Sequence, residues 1–219
     1  MSARPIVTLK IATSLDSRIA LSNGVSQWIT GPEARARAHE MRAAHDAVLV
    51  GSGTVLADDP LLTARTVPLP KTQPVRIVAD SRLRTPASSR LLQSVSAGRV
   101  VLAHGSHADV ASVVLPRDIE TWSVGGPDGR VAPEQLLRRA RAEGLDRIFL
   151  EGGGQLAASF IAAGLIDRIE WFRASIILGG DGLPAIAGLG LEAISDASHW
   201  RLHASERAGN DILESWDRI

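Results

Sequence analysis

The sequence predicts an α/β protein with a mostly parallel central sheet flanked by helices on both faces, and three observations carry that reading. Apolar runs rich in Val and Ile, bounded by turn residues, alternate with segments of helical periodicity. The runs are nearly continuous rather than alternately apolar and polar, the pattern of strands buried on both faces. The chain has 219 residues, 45% of them apolar and 22% charged, enough to bury a core and unlike a disordered or fibrous composition.

The strands expected, in chain order, are PIVTLKIA, AVLVG, PVRIVAD, RVVLAHG, RIFLEGG, RIEWFRASIIL and, at the end, ILESWDRI. Between them GPEARARAHEMRAAH, APEQLLRRARAEG and GQLAASFIAAG read as helices, and SGTVLADD as a short turn. The first helix is the best signalled, because Thr30 and Glu33 have capping-box spacing and Pro32 falls in the first turn, where a missing N–H costs little. Ala34, Ala38 and Met41 make its apolar stripe, while Arg35, His39 and Arg42 share another face that reads by default as solvated. TVPLPKTQP, residues 66–74, is a connection rather than a domain linker, since a strand resumes at Val75. Residues 1–219 are therefore read as a single domain, with no internal repeat or low-complexity tract.

Composition narrows the partners. The 24 basic residues balance the 24 acidic ones, so the chain offers no broad attraction for nucleic acid or an anionic membrane, and any anion must be caught locally. Without cysteine there are no disulfides, thiol nucleophiles or cysteine-ligated zinc, and a cytoplasmic location is expected. MSARPIVTLKIATSLD lacks the apolar stretch of a signal peptide, and LAASFIAAGLI is too short to span a bilayer.

In a parallel sheet, ligands collect at the carboxyl ends of strands. Three such ends stand out: Gly51, Ser52, Gly53 and Thr54; Asp80, Ser81 and Arg82; and Glu151 followed by Gly152, Gly153 and Gly154. Glycines let the backbone turn sharply and let a phosphate approach the amides, although a tight strand-to-helix turn needs glycine for geometry alone. Gly152, Gly154 and Ala157 fit G-x-G-x-x-A, but that fingerprint opens a first βα unit and here arrives late. There is no P-loop motif and no G-x-S-x-G. His104 with His107, and His199 with His203, lack the acidic and histidine neighbours of a metal site, so no metal is expected.

Taken in order, LKIATSLDSRIA, SQWITGPEAR, HEMRAAHDAVLVGSGTVLADDPLLTAR, PVRIVADSRLRTP and FLEGGGQLAASFIAAGLID resemble the reductase domain of bacterial riboflavin biosynthesis deaminase/reductases. The likeness covers nearly the whole chain from Arg4. It implies a dihydrofolate-reductase-like fold and NADPH-dependent reduction of the ribose of 5-amino-6-(5-phosphoribosylamino)uracil to a ribityl chain, by hydride transfer to C1′. It also implies a homodimer. The deaminase domain of the bifunctional relatives carries P-C-x-x-C, which a chain without cysteine does not have, so no deaminase domain is expected here. Ser17 departs from the family, which usually has glycine after SLD.

The resemblance places cofactor contacts on Ala12, Trp28, Thr54, Asp58, Ser81 and the stretch Gly153, Gly154, Gln155, Leu156, Ala157, Ala158 and Ser159. It places substrate contacts on Ser26, Arg42, Leu62, Arg65 and Glu151. Two arginines suit the substrate phosphate. Lys10 is a charge inside the first strand; it either snorkels to the surface or protonates the ribose oxygen, with Glu151 positioning the hydroxyls. Ser81, with Arg82 and Arg84, is where a 2′-phosphate could be met. Two rival readings are dihydrofolate reductase or a reductase of another heterocycle, and a non-catalytic NADPH-binding module. Dihydrofolate reductase reads its pterin with a carboxylate on the first helix, where this chain offers Arg35, His39 and Arg42.

Overall fold

The computed structural model describes residues 4–219, in the chain order β1 (Ile6–Thr13), β2 (Arg18–Ala20), α1 (Pro32–Ala43), β3 (Ala47–Gly51), α2 (Ser52–Asp58), β4 (Val75–Ala79), α3 (Arg90–Gln93), β5 (Val100–His104) and β6 (Glu120–Ser123). Next come α4 (Pro133–Ala142), β7 (Arg147–Glu151), α5 (Gly154–Ala162), β8 (Arg168–Arg173), β9 (Leu183–Pro184), β10 (Trp200–Ala208) and β11 (Asp211–Arg218). The protein is α/β with a mostly parallel central sheet. Its backbone groups into two units, one holding the segment up to Ile6 with His39–Phe149, the other Val7–Ala38 with Leu150–Ile219.

In the first unit β3, β4, β5 and β6 lie side by side in chain order, every pair parallel. Ala47–Val50 of β3 and Val100–Ala103 of β5 are buried throughout, as continuous apolar runs demand. Leu91 and Leu92 of α3 close over Val78, Val100 and Leu102, each large side chain contributing about 1.5–3 kcal/mol by burial. SGTVLADD, expected as a turn, is instead the helix α2, stopped by Asp59, whose φ is +40° and whose N–H donates to the Val55 carbonyl.

In the second unit β1 pairs parallel with β8, and β8, β11 and β10 continue antiparallel. RIEWFRASIIL is thus corrected twice. Only Arg168–Arg173 is strand, and β8 lies between β1 and β11 instead of at an edge. The strand beyond β11 is β10, whose residues from Arg201 to Arg207 are all exposed. Its polar sequence WRLHASERA gave no apolar run to detect. A separate two-stranded ladder joins β2 to β9.

Helix α1 buries Ala34 and Ala38, as its spacing predicts. It begins at Pro32, so Gly31 precedes the first helical residue, and the Gly31 N–H is held by the buried Asp211 carboxylate at 2.7 Å. Among the described residues no helix is long and apolar enough to cross a membrane, and no group of three or more His, Cys, Asp or Glu could hold a metal ion.

Candidate active site

In the first unit the structure brings together Arg42 and the Leu62–Arg65 segment. The Arg42 guanidinium donates to the Thr63 carbonyl at 3.1 Å, and the Arg65 N–H donates to His39 Nδ1 at 3.3 Å. The face of α1 that reads as solvated is therefore engaged at His39 and Arg42. Leu62 is buried with φ +56°, and this turn leaves Arg65 exposed at the surface of the loop. A guanidinium offers phosphate oxygens parallel charge-assisted hydrogen bonds, the chemistry that an arginine on this loop and one on α1 could supply.

Thr54 sits half-buried in the first turn of α2, directly after β3, and Asp58 is exposed at its last residue. Ser81 follows β4. Its Oγ accepts the Val131 N–H at 3.0 Å, which leaves the hydroxyl proton free to be donated. The contact reaches across fifty residues, and although GGPDGRV reads as a turn, nothing in the sequence links it to Ser81. Asp80 keeps its strand end rigid by accepting from both the N–H and the hydroxyl of Thr85, at 2.7 and 2.8 Å. Of the two arginines beside Ser81, Arg84 donates to Ser52 Oγ at 3.2 Å. Arg82 is exposed and has no side-chain hydrogen bond or ion pair to the described residues.

In the second unit Lys10 and Ala12 project from the same face of β1, beside their register partners Glu170 and Phe172. Lys10 is half-buried, and its Nζ stands 5.8 Å from the centroid of the fully buried Phe172 ring. Burial holds the neighbouring Glu170 carboxyl above its ordinary range, even though Ser215 Oγ donates to it at 2.6 Å.

Glu151 ends β7 and is 6% exposed. The three glycines after it answer to two different demands. Gly152 and Gly153 have φ of +75° and +83°, where a side chain is strained, and Gly153 caps α5. At Gly154 a Cβ would come within 2.9 Å of the Pro184 carbonyl oxygen, so the close approach of the Pro184–Ala187 segment requires its absence. The turn opens into the N-terminus of α5, whose first-turn amides have no partner within the helix, an arrangement that attracts an anion. Gln155, Leu156 and Ser159 lie along α5 with the buried Ala157 and Ala158, and Ser159 Oγ donates back to the Leu156 carbonyl at 2.8 Å.

Ser26 is half-buried in the connection from β2 to α1, and Trp28, 72% exposed, carries the Arg35 guanidinium 4.5 Å from its ring centroid. Arg35 also donates to the Thr30 carbonyl at 2.6 Å, so it orders this connection. Asp16 does the same for the segment after β8: it accepts from Ser14 Oγ, Leu178 N–H and Gly179 N–H at 2.6, 3.1 and 2.8 Å. Those hydrogen bonds, the Ser14 hydroxyl first, lower its carboxyl to about 2.

The arrangement has known counterparts. Residues 5–213 match the model of the RibD C-terminal domain. The chain is 37% identical over 213 residues to the riboflavin biosynthesis protein RibD of Actinobacillus pleuropneumoniae, covering 96% of this chain but 56% of that protein. Thus it spans a little over half the length of the first curated relatives it matches. It is also 37% identical over 212 residues to the 2,5-diamino-6-ribosylamino-4(3H)-pyrimidinone 5′-phosphate reductase of Methanothermobacter thermautotrophicus, covering 96% of both. Among solved structures, the Thermotoga maritima diaminohydroxyphosphoribosylaminopyrimidine deaminase/5-amino-6-(5-phosphoribosylamino)uracil reductase superposes with a TM-score of 0.84 at 29% identity, over 99% of this chain and 57% of that one. The chain belongs to the RibD C-terminal domain family.

Proposed function

We propose that this chain is a single-domain NADPH-dependent reductase that converts the ribose of a ribosylaminopyrimidine 5′-phosphate into a ribityl chain, in riboflavin biosynthesis. The observation that carries the reading is the 37% identity to the Methanothermobacter reductase across 96% of both chains. That relative is named for the 2,5-diaminopyrimidinone, and the Thermotoga protein for the corresponding uracil, 5-amino-6-(5-phosphoribosylamino)uracil. A cytoplasmic homodimer belongs to the same proposal.

NADPH, when bound, supplies the hydride that reduces C1′. On the resemblance its contacts are assigned to Thr54, Asp58 and Ser81 in the first unit and to Ala12, Trp28 and the stretch from Gly153 to Ser159 in the second; the bare Gly152–Gly154 turn, the α5 N-terminus and the Ser81 hydroxyl are features that suit phosphate groups. Arg42 and Arg65 bind the substrate phosphate, Ser26 and Leu62 contact the substrate, and Glu151 holds the ribose hydroxyls. Ring opening breaks C1′–O4′, puts a proton on O4′ and leaves a C1′=NH⁺ iminium. Lys10 gives that proton. Hydride addition at C1′ turns the iminium into the neutral ribitylamine, and solvent returns a proton to Lys10.

The test is NADPH oxidation followed at 340 nm with each pyrimidine in turn, and identification of the ribityl product. Stoichiometric product from one or both is expected. Turnover of dihydrofolate instead would support the dihydrofolate reductase reading, and tight NADPH binding without oxidation by any of these substrates would mark a non-catalytic module.

A further inference from the structure

We propose that Gln73 is a positioning residue for the phosphate grip, clamping the loop that carries Arg65; the proposal rests on the reading of Arg65 as a phosphate ligand. Its side-chain amide bonds the Ala64 backbone in both directions: the Ala64 N–H donates to Gln73 Oε1 at 2.8 Å, and Gln73 Nε2 donates to the Ala64 carbonyl at 2.9 Å. Gln73 thus acts on Ala64 as a neighbouring strand would, though it stands outside any strand, in the connection just before β4. An amide is the one side-chain group that offers a donor and an acceptor at this spacing.

The clamp sits where it decides the direction of Arg65. Residues 61–65 have no strand or helix of their own, and side chains from elsewhere bond the backbone of Leu61, Thr63, Ala64 and Arg65. Arg76 Nη1 takes the Leu61 carbonyl at 3.2 Å, Arg42 takes the Thr63 carbonyl, Gln73 takes both polar groups of Ala64, and His39 takes the Arg65 N–H. Arg76 is fully buried and also ties Ser94 and Gly98, so it serves the whole core. Gln73 bonds the residue immediately before Arg65, and it lies beside Gly98, where an added Cβ would come within 3.2 Å of the Gln73 Cβ. Fixing the peptide before Arg65 fixes the origin of the guanidinium, and an ordered loop binds phosphate without first losing entropy.

The test is a double-mutant cycle of Gln73 and Arg65, read as KM for the phosphorylated pyrimidine and for its 5′-dephosphorylated nucleoside. Gln73→Ala should raise KM for the phosphorylated substrate on the order of 10-fold, with kcat changed less than about twofold and the nucleoside KM unmoved. Gln73→Glu keeps the acceptor for the Ala64 N–H, removes the donor to its carbonyl and preserves shape, so it should reproduce the effect if the alanine variant folds poorly. In an Arg65→Ala background either change should add little. An equal rise for both substrates, or the same factor with and without Arg65, overturns the proposal. If the wild-type chain reduces neither pyrimidine, the same cycle is run on ribose 5-phosphate binding by calorimetry. A loss at Gln73 that disappears without Arg65 then keeps the clamp while the reductase reading falls. Additive loss, no loss, or no binding by the wild type rejects the clamp as well.

Discussion

The Arg42 guanidinium donates to the Thr63 carbonyl across 3.1 Å, tying α1 to a point two residues short of Arg65. The bond is one of several that tie this irregular loop to the elements around it. Replacing either arginine by alanine should raise KM for the phosphorylated pyrimidine about 10- to 100-fold, the value of a charge-assisted hydrogen bond. NADPH affinity, titrated by fluorescence, should hardly move. Weakened NADPH binding with an unchanged KM would assign these residues to the cofactor instead. Arg42→Lys keeps the charge but loses the planar fork, and should fall between wild type and alanine.

Ser81 accepts the Val131 N–H, and its own hydroxyl proton is left to donate. If that proton meets a 2′-phosphate, Ser81→Ala should weaken NADPH binding by about 10- to 100-fold and leave NADH binding nearly constant. Isothermal titration of both cofactors checks this, and an equal loss for the two would show that Ser81 contacts the part they share.

Asp16 is more acidic in the fold than in the unfolded chain, about 2 against 3.8, because Ser14 and the amides of Leu178 and Gly179 stabilise its charged form. The unfolded chain therefore takes up the proton first as pH falls. The contribution of Asp16 to stability is present above pH 3.8 and is lost as pH drops toward 2. Asp16→Asn should lower Tm at pH 7 and flatten the dependence of stability on pH in that window. A variant with the wild-type acid transition would show that the carboxylate does not hold the Ile176–Gly179 segment.

How much of the fold and site is legible in the sequence depends on how local the cause is. The parallel strands announce themselves through continuous apolar runs such as AVLVG, and the glycine turn through FLEGGG. Ser17 is legible as a departure, and the structure supplies its sense: φ is +63°, the left-handed region that glycine enters without strain. The hidden features depend on distant partners. No spacing rule links Gln73 to Ala64, Val131 to Ser81 or Asp211 to Gly31, and β10 is an exposed antiparallel strand with no apolar pattern to read.

By register Trp171, Trp216, Leu202 and Ile212 share one face of the antiparallel strands. Leu202 is 48% and Ile212 43% exposed, and both tryptophans are half-buried. The same face carries the Arg173–Glu214 ion pair, and a face of mixed apolar and charged groups suits the second copy of a homodimer. Light scattering at micromolar concentration should give the dimer mass, and Leu202→Glu should shift it toward the monomer. A wild-type monomer would count directly against the assembly; a dimer indifferent to Leu202→Glu would place the interface elsewhere.

Lys10 raises the sharpest chemical question, because a lysine inside a strand either escapes to solvent or has work to do there. Its Nζ lies 5.8 Å from the centre of the buried Phe172 ring, on the same face of β1 as Ala12. A general acid is worth about 10²- to 10⁴-fold, so Lys10→Met should lower kcat on that scale with NADPH still bound. Glu151, buried where β7 gives way to the glycine turn, would act on the ribose hydroxyls, and Glu151→Gln separates its charge from its shape. Single-turnover hydride transfer at a near-normal rate in Lys10→Met would remove the lysine from the chemistry, and normal turnover in Glu151→Gln would show that no carboxylate charge is required.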